Sequence, residues 1–244
     1  MTRVPYILLL GLLLLGCDDR AASRPKAAPP PPAVIEHAGT IDGRVMFSGK
    51  APELPPISLT GDAHCQKLHP QGLTDESVVV ADDGAVANVL VYLKDAPRWD
   101  GGGRPAALLD QIGCQYVPHV VAVQINQPLR VKSSDSILHN VHILATVNPA
   151  ENLSETGPGE QTIHFASAEI MHVRCDVHPW MKAIIGVFDS PYYAVTGADG
   201  KFEIRNVPPG TYTLAAWHER FGEQTQKITV GPDGTVTAKF AYAP

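Results

Sequence analysis

The sequence lacks several features that would place it in a common functional class. Its longest apolar stretch runs from Val4 to Leu15 and is too short to cross a bilayer as a mature helix. Its 19 lysine and arginine residues are scattered among 25 acidic ones, so no surface for nucleic acid is predicted. No long amphipathic helical pattern occurs. Short strand-like stretches between glycine and proline turns, among them Thr40 to Phe47 and Ala85 to Leu93, instead predict an all-β protein.

Catalytic signatures are also missing. The chain contains no G-x-S-x-G, H-E-x-x-H or glycine-rich phosphate-binding motif, so we expect no enzymatic activity. Aromatic residues make up only 7% of the sequence, and Trp99, Tyr192 and Tyr193 are too few to predict a row of sugar-stacking rings. A carbohydrate- or protein-binding role without redox chemistry stays an alternative that no motif favours.

Cysteine is scarce, and one of the four cysteines lies in the most informative segment. The run Cys175-Asp-Val-His178-Pro-Trp-Met181 follows an upstream His139. Together these residues supply a thiolate, two imidazoles and a thioether, the ligand set of a mononuclear blue-copper electron-transfer site. The sequence predicts one copper site with His139, Cys175, His178 and Met181 as ligands.

Strand parity separates these ligands from nearby histidines. Alternate side chains share a face of a strand, so Cys175 and Val173 point one way and His172 the other. The same parity places His142 opposite His139, and neither His142 nor His172 is expected to bind the metal. A dinuclear or trinuclear copper centre is not predicted, because no second cysteine lies four residues from Cys175 and no H-x-H pair occurs.

The paired motifs resemble the ligand segments of the cupredoxins, in particular the amicyanin and plastocyanin group, over roughly residues 113–189. The resemblance implies that Cys175, His139 and His178 bind copper in a trigonal plane with Met181 axial. We interpret Asn140 as a residue that ties the His139 segment to the ligand loop. Pro179 and Trp180 would flank an exposed edge of His178 where a partner docks; core packing is the alternative for Trp180.

The flanking sequence resembles the carboxypeptidase regulatory-like (transthyretin-like) β-sandwich. Gly43-Arg-Val and Asn88-Val-Leu-Val-Tyr-Leu precede the copper segment, whereas Asp199-Gly-Lys-Phe-Glu-Ile and Pro208-Pro-Gly-Thr-Tyr-Thr-Leu follow it. We therefore expect a cupredoxin Greek-key sandwich inserted into, or packed beside, the second sandwich. The expected units are a signal peptide at 1–16, a lipidated linker at 17–39, the sandwich at 40–106 and 190–244, and the cupredoxin domain at 107–189.

The amino terminus resembles that of a bacterial lipoprotein. The apolar stretch after Arg3 ends in Leu14-Leu15-Gly16-Cys17, which is similar to a lipobox, so lipid would be attached to Cys17. Asp18 is similar to an inner-membrane retention signal. A proline- and alanine-rich tether follows. We expect a lipid-anchored protein of the cell envelope that faces the periplasm.

Cys65 and Cys114 remain once Cys17 and Cys175 are assigned. In an oxidising compartment this even remainder predicts a disulfide. A second metal site, formed by His64, Cys65 and His69 or by Cys114 and His119, is the alternative.

These features together predict a membrane-anchored periplasmic blue-copper protein that carries single electrons. The expected partners are a cytochrome c, a periplasmic dehydrogenase or an oxidase, with the membrane reached through the lipid anchor. A copper-binding lipoprotein that delivers the metal is the alternative.

Overall fold

A computed structural model describes residues 35–98 and 104–244. The predicted signal peptide, Cys17, most of the linker and Trp99 lie outside these ranges. The described residues form sixteen strands and one short helix, which confirms the predicted all-β class. No helix within the described ranges is long and apolar enough to span a membrane.

Strands from the two ends of the described chain share one pair of sheets. The first sheet has the order β13-β1-β16 and the second has the order β12-β2-β14-β15. Their bounds are Gly39–Phe47 (β1), Leu90–Leu93 (β2), Tyr193–Val195 (β12), Lys201–Val207 (β13), Gly210–His218 (β14), Gly222–Val230 (β15) and Thr235–Tyr242 (β16). In β13 the side chains alternate between solvent and core, with Phe202 and Ile204 buried, as a strand with one packed face requires.

The nine strands between β2 and β12 form a second pair of sheets, with the orders β5-β11-β10-β7-β8 and β4-β3-β6-β9. Their bounds are Ala107–Ile112 (β3), Gln115–Val117 (β4), Val120–Gln124 (β5), Leu129–Ser133 (β6), His139–Leu144 (β7), Glu151–Glu155 (β8), Gly159–Ile163 (β9), Glu169–Arg174 (β10) and Lys182–Phe188 (β11). This order along the chain is the one that an inserted unit would give; the domain boundaries stay a prediction.

The strand expected over Ala85–Leu93 is shorter in the structure. Asn88 has a φ of 61°, outside the extended range, so the regular strand begins only at Leu90. Ala85 and Val86 instead form isolated bridges with Met46 and Val80.

The two pairs of sheets have separate cores and meet along an apolar junction. Each pair encloses its own cluster of buried residues. Where they meet, Leu90 of β2 packs with Val120, Ile184 and Phe188 of the middle strands. We call the pair of sheets formed by β3–β11 the middle unit and the pair formed by β1, β2 and β12–β16 the flanking sandwich. The copper-ligand candidates belong to the middle unit, and the flanking sandwich packs against it.

A segment of residues 57–73 lies between β1 and β2 and is called here the capping segment. It is closed by an isolated bridge between Ile57 and Leu73 and contains α1 (Ala63–Leu68). Asp62 is the N-cap of this helix, and its carboxylate accepts the Cys65 N–H. Cys65 forms a disulfide with Cys114, which confirms the predicted pairing and rules out the alternative metal site at these cysteines.

Candidate metal centre

Strand pairing brings the two distant ligand segments together. β10 pairs with β7, with Arg174 opposite His142, so the residues that follow β10 lie beside the start of β7. Cys175 comes directly after β10, and His139 is the first residue of β7. The loop from Cys175 to Met181 is closed by two backbone hydrogen bonds, from Cys175 N to Met181 O and from Met181 N to His178 O.

Three ligand atoms meet at the mouth of this loop. Atoms of His139, Cys175 and His178 all lie within 4.8 Å of one another, and all three residues are buried. The Nδ1 atoms of the two histidines are 3.0 Å apart, and His178 Nδ1 is 3.9 Å from Cys175 Sγ. Cys175 is the only free cysteine among the described residues.

Each imidazole has a carboxylate behind it. His139 Nε2 is 2.9 Å from Asp135 Oδ2, and His178 Nε2 is 3.1 Å from Asp62 Oδ2. Because a carboxylate can only accept, each neutral ring must carry its proton on Nε2. Both Nδ1 lone pairs then point at each other and toward the thiol, with no proton between the rings. A metal cation in this space would satisfy all three atoms, so the donor set fits copper.

Burial favours the neutral form of His139, which is the form that binds a metal. Burial lowers the pKa of His139 below its usual value, although Asp135 opposes the effect. Burial by itself would raise the pKa of Asp135, but the Cys114 and Gly113 N–H groups and His139 together lower it. Asp135 is therefore an anion facing a neutral ring.

Asn140 links the two ligand segments through its side chain. Its Oδ1 accepts the Asp176 N–H at 2.7 Å and lies 3.2 Å from Cys175 Sγ. Its Nδ2 donates to Asn152 Oδ1 and Asp176 Oδ2. Behind it, the Tyr116 hydroxyl donates to the Asn140 carbonyl. This network fixes the Cys175 end of the loop against β7.

The remaining loop residues differ in exposure. Met181 is 1% exposed and lies in the same core cluster as Cys175. Trp180 is half-buried: its ring lies 5.0 Å from the His178 ring, and its Nε1 donates to Cys114 O. Pro179 is exposed, and Val177 is 45% exposed. Of the pair expected at a docking surface, only Pro179 is open to solvent.

The expectation that His178 has a solvent-exposed edge was wrong. His178 is only 3% exposed because Asp62 of the capping segment covers its Nε2 side. Outer-face positions were expected for His142 and His172; the His172 side chain is exposed, and His142 lies at the surface against Asp176. The pKa of Asp176 is lowered to about 2, chiefly by its hydrogen bond with His142.

Sequence reasoning missed Asp62, Asp135 and Tyr116. Asp135 precedes His139 by four residues, a short separation that could have marked it as the ring's acceptor. Asp62 lies 116 residues from His178, and no local signal connects them.

Comparison with known proteins bears on both units. The model of the family described as carboxypeptidase regulatory-like domain matches residues 179–243. The match begins inside the ligand loop and includes β11 as well as β12–β16. No curated protein matches the chain.

The chain also resembles solved copper-protein structures. These include a copper-containing nitrite reductase (NirK) from Thermus scotoductus SA-01, with 17% identity over 36% of this chain, a TM-score of 0.33 and only 23% of that protein covered. A purple cupredoxin from Nitrosopumilus maritimus has 15% identity and a TM-score of 0.29; the match covers 33% of this chain and 98% of that protein. An amicyanin variant in its Cu(I) form has 17% identity and a TM-score of 0.32; the match covers 40% of this chain and 97% of that protein. Both resemblances noted in the sequence are thus found.

Proposed function

We propose that this protein binds one copper ion through His139, Cys175, His178 and Met181 and carries single electrons. One observation carries the proposal: two imidazole Nδ1 atoms 3.0 Å apart and a nearby thiol, with both Nε2 atoms turned toward carboxylates. Such a set of inward lone pairs is unfavourable without a cation and matches what a soft, copper-type site requires.

Copper bound at such a site would supply a one-electron couple. The protein's part is to hold the ligands in one geometry, so that a change of charge moves them little. A backbone hydrogen bond from Cys175 N to Met181 O holds these two residues together, and the Asn140 side chain accepts the Asp176 N–H. His139 and His178 each have one ring nitrogen fixed by a carboxylate.

The closed surroundings favour a carrier over a protein that delivers copper. The four candidate ligands are at most 3% exposed, and the capping segment covers His178. Delivery needs a ligand that an acceptor protein can reach and replace. In the proposed role the protein is a lipoprotein anchored through Cys17 that faces the periplasm and exchanges electrons with a cytochrome c, a dehydrogenase or an oxidase there, without being an enzyme.

The decisive experiment is copper loading of the protein beside Cys175→Ser. We expect an intense thiolate-to-copper absorption band that bleaches with reductant and returns with oxidant, and that the serine variant lacks. Because serine is nearly isosteric, the variant should fold, which circular dichroism checks. Copper binding of equal strength by both proteins, or no visible band in the wild type, would refute the proposal.

A second measurement separates electron transfer from delivery. A rigid carrier should lose copper slowly to a Cu(I) chelator while it exchanges electrons reversibly at an electrode. Rapid, complete transfer of copper to the chelator without reversible electrochemistry would favour the delivery role.

A further inference from the structure

One outer contact of the candidate metal centre comes from outside the strands that form it. Asp62 belongs to the capping segment, before β2, whereas all four candidate ligands lie within residues 139–181, from the first residue of β7 to the residue before β11. Its Oδ2 faces His178 Nε2 at 3.1 Å, and its Oδ1 accepts the Cys65 N–H at 2.8 Å. Asp62 therefore bridges a ligand ring and the backbone of a disulfide cysteine.

The other histidine has an equivalent arrangement. Asp135 accepts the N–H of Cys114 and faces His139 Nε2. Because Cys65 and Cys114 are bonded to each other, the disulfide joins the backbones that hold both carboxylates. The Cys114 carbonyl also accepts from Trp180, whose ring packs on His178.

We propose that Asp62 is a positioning residue of the metal centre, held in place by the Cys65–Cys114 disulfide, and that it fixes the His178 ring and favours the more positively charged state of the bound metal. This inference rests on the proposed function for its effect on potential. Its effect on the ring does not need the metal. The capping segment is thus a functional part of the middle unit rather than only a connection to the flanking sandwich.

The charge of Asp62 and its hydrogen bond to the ring both support this role. As an anion beside the ring, it stabilises Cu(II) more than Cu(I), because the interaction grows with the charge of the metal. As an acceptor, it keeps the ring proton on Nε2 and leaves Nδ1 free to bind. A neutral side chain that presents an N–H to the ring should lose both effects.

The test uses Asp62→Asn, which keeps a good N-cap for α1. In the metal-free protein, nitrogen NMR should show the His178 proton moving from Nε2 toward Nδ1, while His139 keeps its Nε2 proton. With copper, we expect the reduction potential to rise by an amount equivalent to about a tenfold shift toward Cu(I), ~59 mV for a one-electron couple. Copper should also be lost faster to a chelator.

The matched control is Asp83→Asn. Like Asp62, Asp83 accepts a nearby backbone N–H, in this case that of Ala85, but its carboxylate pairs with Arg44 on the flanking sandwich. This variant removes the same charge and should change neither the His178 proton nor the potential.

The double variant Cys65→Ala/Cys114→Ala tests the disulfide's part. We expect both histidines to lose their single tautomer and the potential to shift in the same direction as in Asp62→Asn. If the double variant does not fold, Asp62→Asn still decides the role of the carboxylate.

The outcomes separate the two proposals. A wild type that binds no copper refutes the proposed function, whereas the tautomer of His178 still reports on Asp62. A wild type that binds copper, with an unchanged tautomer and potential in Asp62→Asn, overturns the positioning role alone.

Discussion

At the scale of single residues, the candidate metal centre depends on which atom of each side chain faces inward. Two of the three ligand types, cysteine and methionine, are frequent in protein cores, and their burial alone would indicate packing. The distinguishing feature is the outward side of each ring, where a carboxylate fixes the proton. The neighbours of the ligands therefore carry as much information as the ligands themselves.

Asn140→Ala should loosen the ligand loop without removing a ligand. It would leave the Asp176 N–H without its acceptor, and the loss of a part-buried hydrogen bond of this kind costs about 1 kcal/mol. We expect a lower unfolding free energy in urea and faster loss of copper. Asn152→Ala is the control, because Asn152 contacts the same network from the exposed side; an equal effect in both variants would contradict the role of Asn140.

His218 should make the protein acid-sensitive. It is 1% exposed, its Nε2 has no hydrogen-bond partner among the described residues, and burial lowers its pKa to about 4. The unfolded state binds the proton near pH 6.5, so unfolding free energy falls as pH falls from about 6.5 to about 4, by about 3 kcal/mol.

The measurement for His218 is thermal unfolding of the wild type and His218→Phe between pH 4 and pH 7. Phenylalanine keeps the stacking on Phe221 but cannot be protonated. The variant should lose stability less steeply toward low pH. Parallel curves would show that His218 does not contribute to this acid sensitivity.

The candidate ligands could be selected from the sequence because three of them lie within one loop and their chemical types are rarely combined. Asp62 was not predictable, since its contact with His178 depends on where the capping segment lies in three dimensions. The exposed edge expected for His178 failed for the same reason. A local motif specifies the donors, whereas the cover over them is set by tertiary contacts.

At the scale of elements, the junction between the two pairs of sheets contains a buried ion pair. His119, just before β5, contacts Glu219, just after β14, and both side chains are nearly inaccessible. Burial alone would lower the pKa of His119, but Glu219 raises it above its usual value. The pair therefore stabilises the junction while His119 is protonated.

Glu219→Gln should destabilise the protein mainly in acid and neutral solution. Breaking one partner of a buried pair costs about 3–5 kcal/mol. The pKa of His119 is higher in the folded state than in the unfolded state. The stabilisation from the ion pair is therefore complete below about pH 6.5 and is lost as pH rises through the raised pKa of the folded state. Unfolding free energies at pH 6 and pH 9 check this, with a larger deficit expected at pH 6.

The control for the junction is Glu160→Gln, which breaks an exposed pair with Arg130. Exposed pairs are screened by solvent and contribute little to stability, so this variant should remain close to the wild type. A deficit of Glu219→Gln that is as small, or that is equal at both pH values, would contradict the role of the pair.

The positions of strands were predictable where buried and exposed residues alternate regularly. The residues at which strands begin and end were less predictable. The strand expected from Thr40 to Phe47 corresponds to β1, because its core-facing residues alternate. The strand expected over Ala85–Leu93 was too long, since Asn88 turns the backbone out of the extended range. Which strands pair could not be deduced from periodicity: the parallel pairing of β1 with β16 joins the two ends of the described chain.

At the scale of the whole molecule, the capping segment and its disulfide connect regions on either side of β2. The bond closes a loop with a sequence separation of 49, which includes β2 of the flanking sandwich and β3 of the middle unit. A loop of this length reduces the entropy of the unfolded chain enough to stabilise the fold by about 4 kcal/mol. Both cysteines are 0% exposed.

This burial should protect the disulfide as long as the molecule stays folded. Thiol–disulfide exchange requires an attacking thiolate to reach a sulfur atom, and neither sulfur is accessible without opening of the capping segment. We expect a dithiol reductant to leave the bond intact in native buffer and to reduce it quickly in urea. Mass spectrometry after alkylation would count the modified cysteines in each case, with Cys175→Ser used to remove the signal of the free thiol. Rapid reduction in native buffer would instead mean that the capping segment opens readily, and the cover over His178 would then be a mobile one through which a partner could reach the ring directly.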